Sequence, residues 1–283
     1  MLEPAAAIYD DIRNARHAGS PHSAAIARTL AYLGWLRGGE WLPSAMLWWQ
    51  QRGSDAAELA WFLAALDRLA YGLRILGIGT SKRTTRFAGV VAAIRGGRDL
   101  RAANSPLDLS SEELRSIAYN LRDLHARNPT TCRLVLLRLN DQMAGRPQGL
   151  EAGGMTVEHV LPRKHGASSP WRDWYPDPAV RDRYTESLGN LVLLTQKQND
   201  KAANLDFAHK LEVYFRSPGA PLPVLNQSLM GQVEWTPAQI EEREDILVRH
   251  LDALWNLGAA ERRERSNDGQ GAPGGRRAPT RAA

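Results

Sequence analysis

Apolar side chains recur at intervals of three and four residues through most of the first 145 residues. One stretch contains Ile26, Leu30 and Leu33, and a longer one runs from Leu59 to Leu73. This period places apolar side chains on one face of an α-helix, so it predicts a set of amphipathic helices. Residues that commonly begin a helix precede these stretches and a later one; they are Ser20-Pro21, Ser54-Asp55 and Ser110 with Glu113.

The helical period fades between Gly149 and Tyr214. Two short segments in this region, 155–157 and 191–194, have the composition of β-strands, and a loop rich in Trp, Pro and Asp separates them. A helix is predicted just before this region, over 130–143. Together these features predict a mainly α protein with a small α+β element.

The C-terminal part returns to helices. One helix is predicted from about 205 to 215, and the last begins after Thr236 as N-cap, with Gln239 as its capping-box partner. Gly258 is expected to end this last helix.

Composition excludes several classes of protein. The chain has 283 residues, of which 43% are hydrophobic and 24% are charged, as in ordinary globular proteins. It lacks a run of 18 apolar residues, and acidic residues stand where a signal peptide carries basic ones. The single cysteine, Cys132, excludes an internal disulfide and a cysteine-based zinc site. We expect a cytoplasmic protein without a membrane segment, with Cys132 reduced in its core.

The net charge of +5 is compatible with a nucleic-acid partner but does not identify one. Much of it lies in residues 259–283, which hold six arginines, three acidic residues and no large apolar residue. Such a segment cannot bury apolar surface, so a disordered basic tail is expected there.

The residues that point to chemistry lie between Thr156 and Phe207. Glu158 and His159 open a Glu-His-Val-Leu-Pro sequence, Asn190 lies 31 residues after His159, and Asn199 follows nine residues later. A neutral imidazole is a suitable general base near pH 7. Glu158 and Asn199 offer oxygen ligands that suit one Mg²⁺ or Mn²⁺ ion. Asn190 is placed to hold the imidazole, but neighbouring strand residues point to opposite faces, so Glu158 and His159 need a strand end or a twist to serve one site.

This pattern resembles the HNH, or His-Me finger, nucleases, and most closely the C-terminal nuclease domain of GmrSD-type, modification-dependent (Type IV) restriction endonucleases. The resemblance rests on the acidic-His-x-x-Pro sequence, on Leu-Gly-Asn-Leu at 188–191, and on Asn199, Asn204 and Phe207. It extends over about 134–255 and implies a ββα-metal domain embedded in helices, with DNA as substrate.

The resemblance also implies roles. His159 is the general base, Asn190 orients it, and Glu158 and Asn199 bind the metal. Asn204 either supports the metal-bound water or caps the following helix, which is the usual position of an asparagine there.

The chain departs from the family in two respects. Arg163 replaces a glutamine common in the family and is followed by Lys164, so both residues, with Lys210, are candidate phosphate contacts. Full-length relatives carry a ParB-like nucleoside triphosphatase (NTPase) domain with an Asp-Gly-Gln-Gln-Arg sequence, which this sequence lacks. We therefore expect a helical domain at 1–133, a nuclease domain at 134–258 and the tail, with a separate NTPase subunit as a candidate partner.

Several residues have two interpretations. His165 is either a further metal ligand or a solvated loop histidine, and His209 either a phosphate contact or part of an exposed helix face. A basic group could bind the DNA backbone or be ordinary surface; it consists of Arg74, Lys82, Arg83 and Arg86. An aromatic group could stack on an extruded base or anchor its own loop; it consists of Trp171, Trp174 and Tyr175. The histidines without a partner pattern are interpreted as structural; they are His17, His22, His125 and His250.

Two other functions are compatible with the same residues. One is a non-catalytic DNA-binding or regulatory subunit that acts with the NTPase. The other is an RNase on the same scaffold.

Overall fold

The computed structural model describes residues 2–166 and 169–258. The predicted tail, 259–283, lies outside these residues. The helices are α1 (Leu2–Arg13), α2 (Ser23–Trp35), α3 (Leu42–Arg52), α4 (Ala56–Ile75), α5 (Thr80–Arg95), α6 (Ser111–Asn120), α7 (Leu124–Arg127), α8 (Pro129–Met143), α9 (Trp171–Trp174), α10 (Pro178–Thr185), α11 (Gln196–Ala202), α12 (Phe207–Arg216) and α13 (Pro237–Trp255). The strands are β1 (Thr156–His159) and β2 (Leu191–Leu194), and short 3-10 helices cover Leu121–Asp123, Leu188–Asn190 and Val224–Leu229.

Helix α4 forms the centre of the N-terminal half. Its N-cap residue Asp55 accepts hydrogen bonds from the backbone N–H groups of Ala57 and Glu58, at 3.0 and 3.1 Å. These bonds satisfy donors that the first turn of a helix leaves free, and they confirm the predicted start. The apolar face of α4 is fully buried against α2, α3, α6 and α8.

The two strands form an antiparallel pair in which Glu158 lies opposite Val192 and His159 opposite Leu191. All four side chains of β2 are buried, which explains its uninterrupted Leu-Val-Leu-Leu sequence. Helix α11 follows β2 directly. The structure therefore contains the predicted small α+β element, two strands and a helix, within a mostly helical chain.

One hydrophobic core is continuous across the predicted domain boundary at 133/134. It includes side chains of α4 and α8 together with Leu191 of β2 and Leu247 of α13. A buried ion pair also joins the halves, since Arg138 donates to both carboxylate oxygens of Asp67 at 2.6 and 3.0 Å. The indole N–H of Trp255 donates to the same carboxylate. The hydrophobic core thus extends across the domain boundary predicted from the sequence.

Helix α13 lies in direct contact with the Leu-Gly-Asn segment before β2. A Cβ atom on Gly189 would lie 2.1 Å from the carbonyl oxygen of Ile240, so this close approach requires glycine. The buried guanidinium of Arg243 donates to the carbonyl oxygens of Gly189 and Leu191, at 2.6 and 2.9 Å. The last helix therefore fixes the position of the segment that leads into β2.

Other predicted elements agree within a few residues, with one difference. Helix α13 begins after Thr236, whose backbone N–H donates to Gln239 Oε1 as predicted. It ends before Asn256, two residues earlier than the predicted end at Gly258, and Asn256 adopts the left-handed conformation (φ 51°, ψ 49°). Asparagine tolerates this conformation because its short polar side chain can bond locally.

The predicted basic group is largely engaged within the protein. Arg83 and Arg74 lie 2.6 and 3.6 Å from Glu40, and Arg86 lies 3.3 Å from Glu113. Cys132 is buried, as predicted, and burial raises the pKa of its thiol. Within the described ranges, none of the helices combines the length and the apolar character needed to cross a membrane.

Candidate active site

His159 is the last residue of β1, and its imidazole faces α10 and the residues after it. Its Nε2 atom lies 3.4 Å from Oε2 of Glu186, which directly follows α10. The His159 side chain is 12% exposed and that of Glu186 is 21% exposed. The pair is therefore mostly removed from water while remaining reachable by solvent.

Glu186 has three cationic or hydrogen-bonding neighbours. Its Oε1 atom accepts a hydrogen bond from Nε of Arg163 at 2.6 Å. Its Oε2 atom lies 3.4 Å from both Nε2 of His159 and Nδ1 of His125. Burial alone would raise the pKa of this carboxyl, but hydrogen bonds from His125, His159 and Arg163 outweigh it and hold the pKa well below its usual range. Glu186 is therefore ionised at neutral pH and can only accept hydrogen bonds.

His125 completes a compact group of three side chains. It lies in α7, and its ring meets that of His159 edge-on with centroids 4.7 Å apart. One ligand atom from each of His125, His159 and Glu186 lies within 4.8 Å of the others, close enough to hold a metal ion. The sequence gives no pattern that links His125 to a partner, but the structure places it beside His159 and Glu186, and Glu186 was not singled out from the sequence.

His159 is favoured in its neutral form. Burial lowers the pKa of its imidazole, and the neighbouring Glu186 opposes this shift without cancelling it. A neutral imidazole at physiological pH can accept a proton.

Asn190 is fully buried and acts on this site through the backbone. Its Oδ1 atom accepts hydrogen bonds from the backbone N–H of Leu161 at 2.7 Å and from the indole N–H of Trp235 at 3.0 Å. Its Nδ2 atom donates to the carbonyl oxygens of Leu161 and Thr185. Asn190 thus joins the chain just after His159 to the chain just before Glu186, whereas the side chain that faces the imidazole is Glu186.

Glu158 points away from this group, as strand alternation requires. Its Oε1 atom accepts hydrogen bonds from the ammonium of Lys210, and from the hydroxyl of Tyr214 at 3.3 Å. Lys210 is fully buried and also donates to the carbonyl oxygen of His159 at 2.7 Å. Lys210 is therefore enclosed, which contradicts its predicted availability as a surface phosphate contact.

The two downstream asparagines lie in α11 and in the turn after it. Asn199 donates through Nδ2 to Thr156 Oγ1 and to the carbonyl oxygen of Val157, at 2.9 and 3.1 Å. It thereby ties α11 to β1. Asn204 is exposed in the turn before α12, and Asp206 occupies the N-cap position of that helix. The interpretation of Asn204 as the helix cap is therefore wrong.

The remaining candidates in the loop after β1 differ in exposure. The Arg163 side chain is 56% exposed although it is paired with Glu186, and Lys164 is exposed. His165 lies outside the group formed by His125, His159 and Glu186. Arg163 and Lys164 therefore remain accessible to a phosphate.

The aromatic group anchors its own loop. Trp171 is buried and its indole N–H donates to the carbonyl oxygen of Leu205 at 3.1 Å. Tyr175 is buried and its hydroxyl donates to the carbonyl oxygen of Trp235 at 2.8 Å. The packing interpretation is confirmed for these two residues, while Trp174 is half-buried beside them.

Comparison with known proteins gives one finding. Residues 110–250 match the family described as GmrSD restriction endonucleases, C-terminal domain. The matched region begins before α6, so it includes His125, and it extends into α13. No curated protein and no solved structure is significantly similar to the chain.

Proposed function

Because residues 110–250 belong to the family of GmrSD restriction endonuclease C-terminal domains, we propose that this protein is a divalent-metal-dependent DNA endonuclease that hydrolyses phosphodiester bonds. Its proposed role is restriction of foreign DNA, including DNA with modified cytosines. A separate NTPase subunit is the proposed partner. The observation that carries the proposal is the neutral, partly accessible imidazole of His159 held against the Glu186 carboxylate.

This arrangement supports a general-base role for His159. Since the ionised Glu186 carboxylate only accepts hydrogen bonds, Nε2 of His159 carries the proton in this contact, and Nδ1 keeps its lone pair. Nδ1 can then take a proton from a water molecule. The water oxygen forms a bond to phosphorus as the ester P–O bond breaks. Glu186 is a positioning residue in this scheme, because it acts through the imidazole.

The two predicted metal ligands both make other contacts in this arrangement. The Glu158 carboxylate is engaged by Lys210 and Tyr214, and the amide of Asn199 donates to β1. Nucleases of this kind generally use a divalent cation to stabilise the leaving oxygen. A cation bound through Glu158 would have to compete with Lys210 and Tyr214 for its carboxylate.

A cleavage assay tests the proposal. The full chain is incubated with supercoiled plasmid in Mg²⁺, in Mn²⁺ and after chelation, using plain, hydroxymethylated and glucosylated DNA, with RNA as a parallel substrate. We expect metal-dependent cleavage of DNA, and a loss of about 100-fold or more in His159→Ala, as for removal of a general base. His22→Asn, which changes an exposed histidine directly before α2, is the matched control and should cleave normally.

Three outcomes would contradict the proposal. Full cleavage by His159→Ala would exclude His159 as the base. Cleavage of RNA alone would favour the RNase. DNA binding without cleavage under every condition would favour the non-catalytic subunit.

A further inference from the structure

Two imidazole nitrogens and one carboxylate oxygen, from His125, His159 and Glu186, lie within 4.8 Å of one another. Oε2 of Glu186 lies 3.4 Å from Nε2 of His159 and 3.4 Å from Nδ1 of His125. A tetrahedral zinc ion with bonds of about 2.0–2.1 Å places neighbouring ligand atoms about 3.3–3.4 Å apart. An octahedral magnesium ion brings them to about 2.9 Å and prefers oxygen ligands. Both the donor atoms and the two spacings therefore suit a zinc-like ion.

The nitrogen Nδ1 of His125 has two neighbours that require opposite hydrogen-bonding roles of it. It faces a Glu186 oxygen at 3.4 Å, which requires it to donate, and Nη2 of Arg163 at 3.2 Å, which requires it to accept. A neutral imidazole nitrogen can satisfy only one of these partners. A metal ion bound to Nδ1 and to Glu186 would replace the Arg163 contact.

Arg163 is free to make this exchange. Its side chain is 56% exposed, and its stronger contact, at 2.6 Å, is with the other carboxylate oxygen, Oε1. The guanidinium can therefore leave His125 and continue to orient Glu186, as partners of metal-bound carboxylates commonly do.

We infer that His125, His159 and Glu186 form a binding site for one zinc-like transition-metal ion, and that occupancy of this site switches the nuclease off. The second part rests on the proposed function. Zinc would bind Nε2 of His159 and displace the proton from that atom. The neutral imidazole would then carry its proton on Nδ1, the atom proposed to accept a proton from water. The His159 imidazole therefore cannot bind zinc through Nε2 and accept a proton at Nδ1 at the same time.

Metal binding is measured first, without any assay of cleavage. The full chain, stripped by chelation, is titrated with Co²⁺ for its visible absorption and with Zn²⁺ in competition with a chromophoric chelator. We expect one tightly bound equivalent, with tetrahedral cobalt absorption. His125→Asn should weaken binding by about 100-fold or more, since it removes a ligand. His22→Asn should bind as the unmodified chain does, and circular dichroism checks that both variants are folded.

Cleavage is measured next, at fixed Mg²⁺ with and without one equivalent of Zn²⁺. We expect zinc to lower the rate at least about tenfold, reversibly on chelation, in the unmodified chain and in His22→Asn, because it blocks the general base. In His125→Asn the ratio of the two rates should be close to one at the same zinc concentration, whatever the rate itself. This ratio separates occupancy of the site from general effects of zinc on DNA.

The outcomes are distinguishable. Equal metal binding by the unmodified chain and His125→Asn would overturn the site. Binding without inhibition, or activation by zinc, would overturn the switch. If the chain cleaves nothing, the switch falls with the proposed function, while the titration still decides the metal site.

Discussion

Glu158 and His159 are neighbours in β1, yet their side chains end in opposite kinds of environment. Glu158 lies in a closed group with Lys210 and Tyr214, in which the lysine has no exposed surface. His159 lies in an accessible group with His125 and Glu186, where the contacts are long and the side chains are 12 to 21% exposed. The difference shows how one strand can pack against the core through one face and hold accessible titratable side chains on the other.

The closed group should matter most to stability. Lys210→Met leaves the Glu158 carboxylate buried without its cation, which costs about 3–5 kcal/mol when a buried pair is broken. The double variant Glu158→Gln with Lys210→Met should recover part of this loss because no charge is left unpaired. Urea unfolding measures both, with the exposed Lys201→Met as control. A cost below about 1 kcal/mol for Lys210→Met would mean that this buried pair contributes no more to stability than a surface ion pair does.

The accessible group should matter most to the reaction. Glu186→Gln removes the charge that holds the His159 imidazole, so kcat for DNA cleavage should fall about 10- to 100-fold with little change in KM. Because Glu186 raises the pKa of His159, the acidic limb of the pH–rate profile should move to lower pH in this variant. Glu212→Gln, an exposed carboxylate on α12, is the control. An unmoved profile would mean that Glu186 does not act through the imidazole.

A smaller effect should appear in the pH dependence of stability. The pKa of Glu186 is lowered by folding, so its stabilising contribution is present above its unfolded pKa of about 4.3 and is lost as the pH falls below that value. The unfolding free energy of the unmodified chain should exceed that of Glu186→Gln by about 1–2 kcal/mol at pH 7. Urea unfolding between pH 3 and 7 should show this difference shrinking at the acidic end. A difference independent of pH would argue against an ionised Glu186 in the folded state.

Local sequence rules predicted the helix ends and the two strands that surround the site. Helix caps such as Asp55 and Thr236 depend on residues two or three positions away, so the sequence alone specifies them. The buried Leu-Val-Leu-Leu run and the Glu-His-x-x-Pro motif located β2 and the end of β1. Because side chains alternate along a strand, the sequence already indicated that Glu158 and His159 point to opposite faces.

Contacts distant in sequence account for what was missed. His125 lies 34 residues before His159, on a four-residue helix with no periodic pattern that marks it. Glu186 carries a sequence signal only through its place four residues before Asn190. Lys210 is a charged residue of α12 that is buried in a pair with Glu158 of β1, and pairing of this kind depends on tertiary structure.

The contacts that Gly189 and Asn190 make with the last helix and with Trp235 depend on the order in which the chain is synthesised. A ribosome delivers β1 and β2 before it delivers Trp235, Ile240 and Arg243. Until those residues emerge, Asn190 lacks the indole hydrogen bond and Gly189 lacks the backbone against which it packs. The segment that joins His159 to Glu186 therefore reaches its final form only after residues 235–243 have been synthesised, so a nascent chain that has not reached them lacks these contacts.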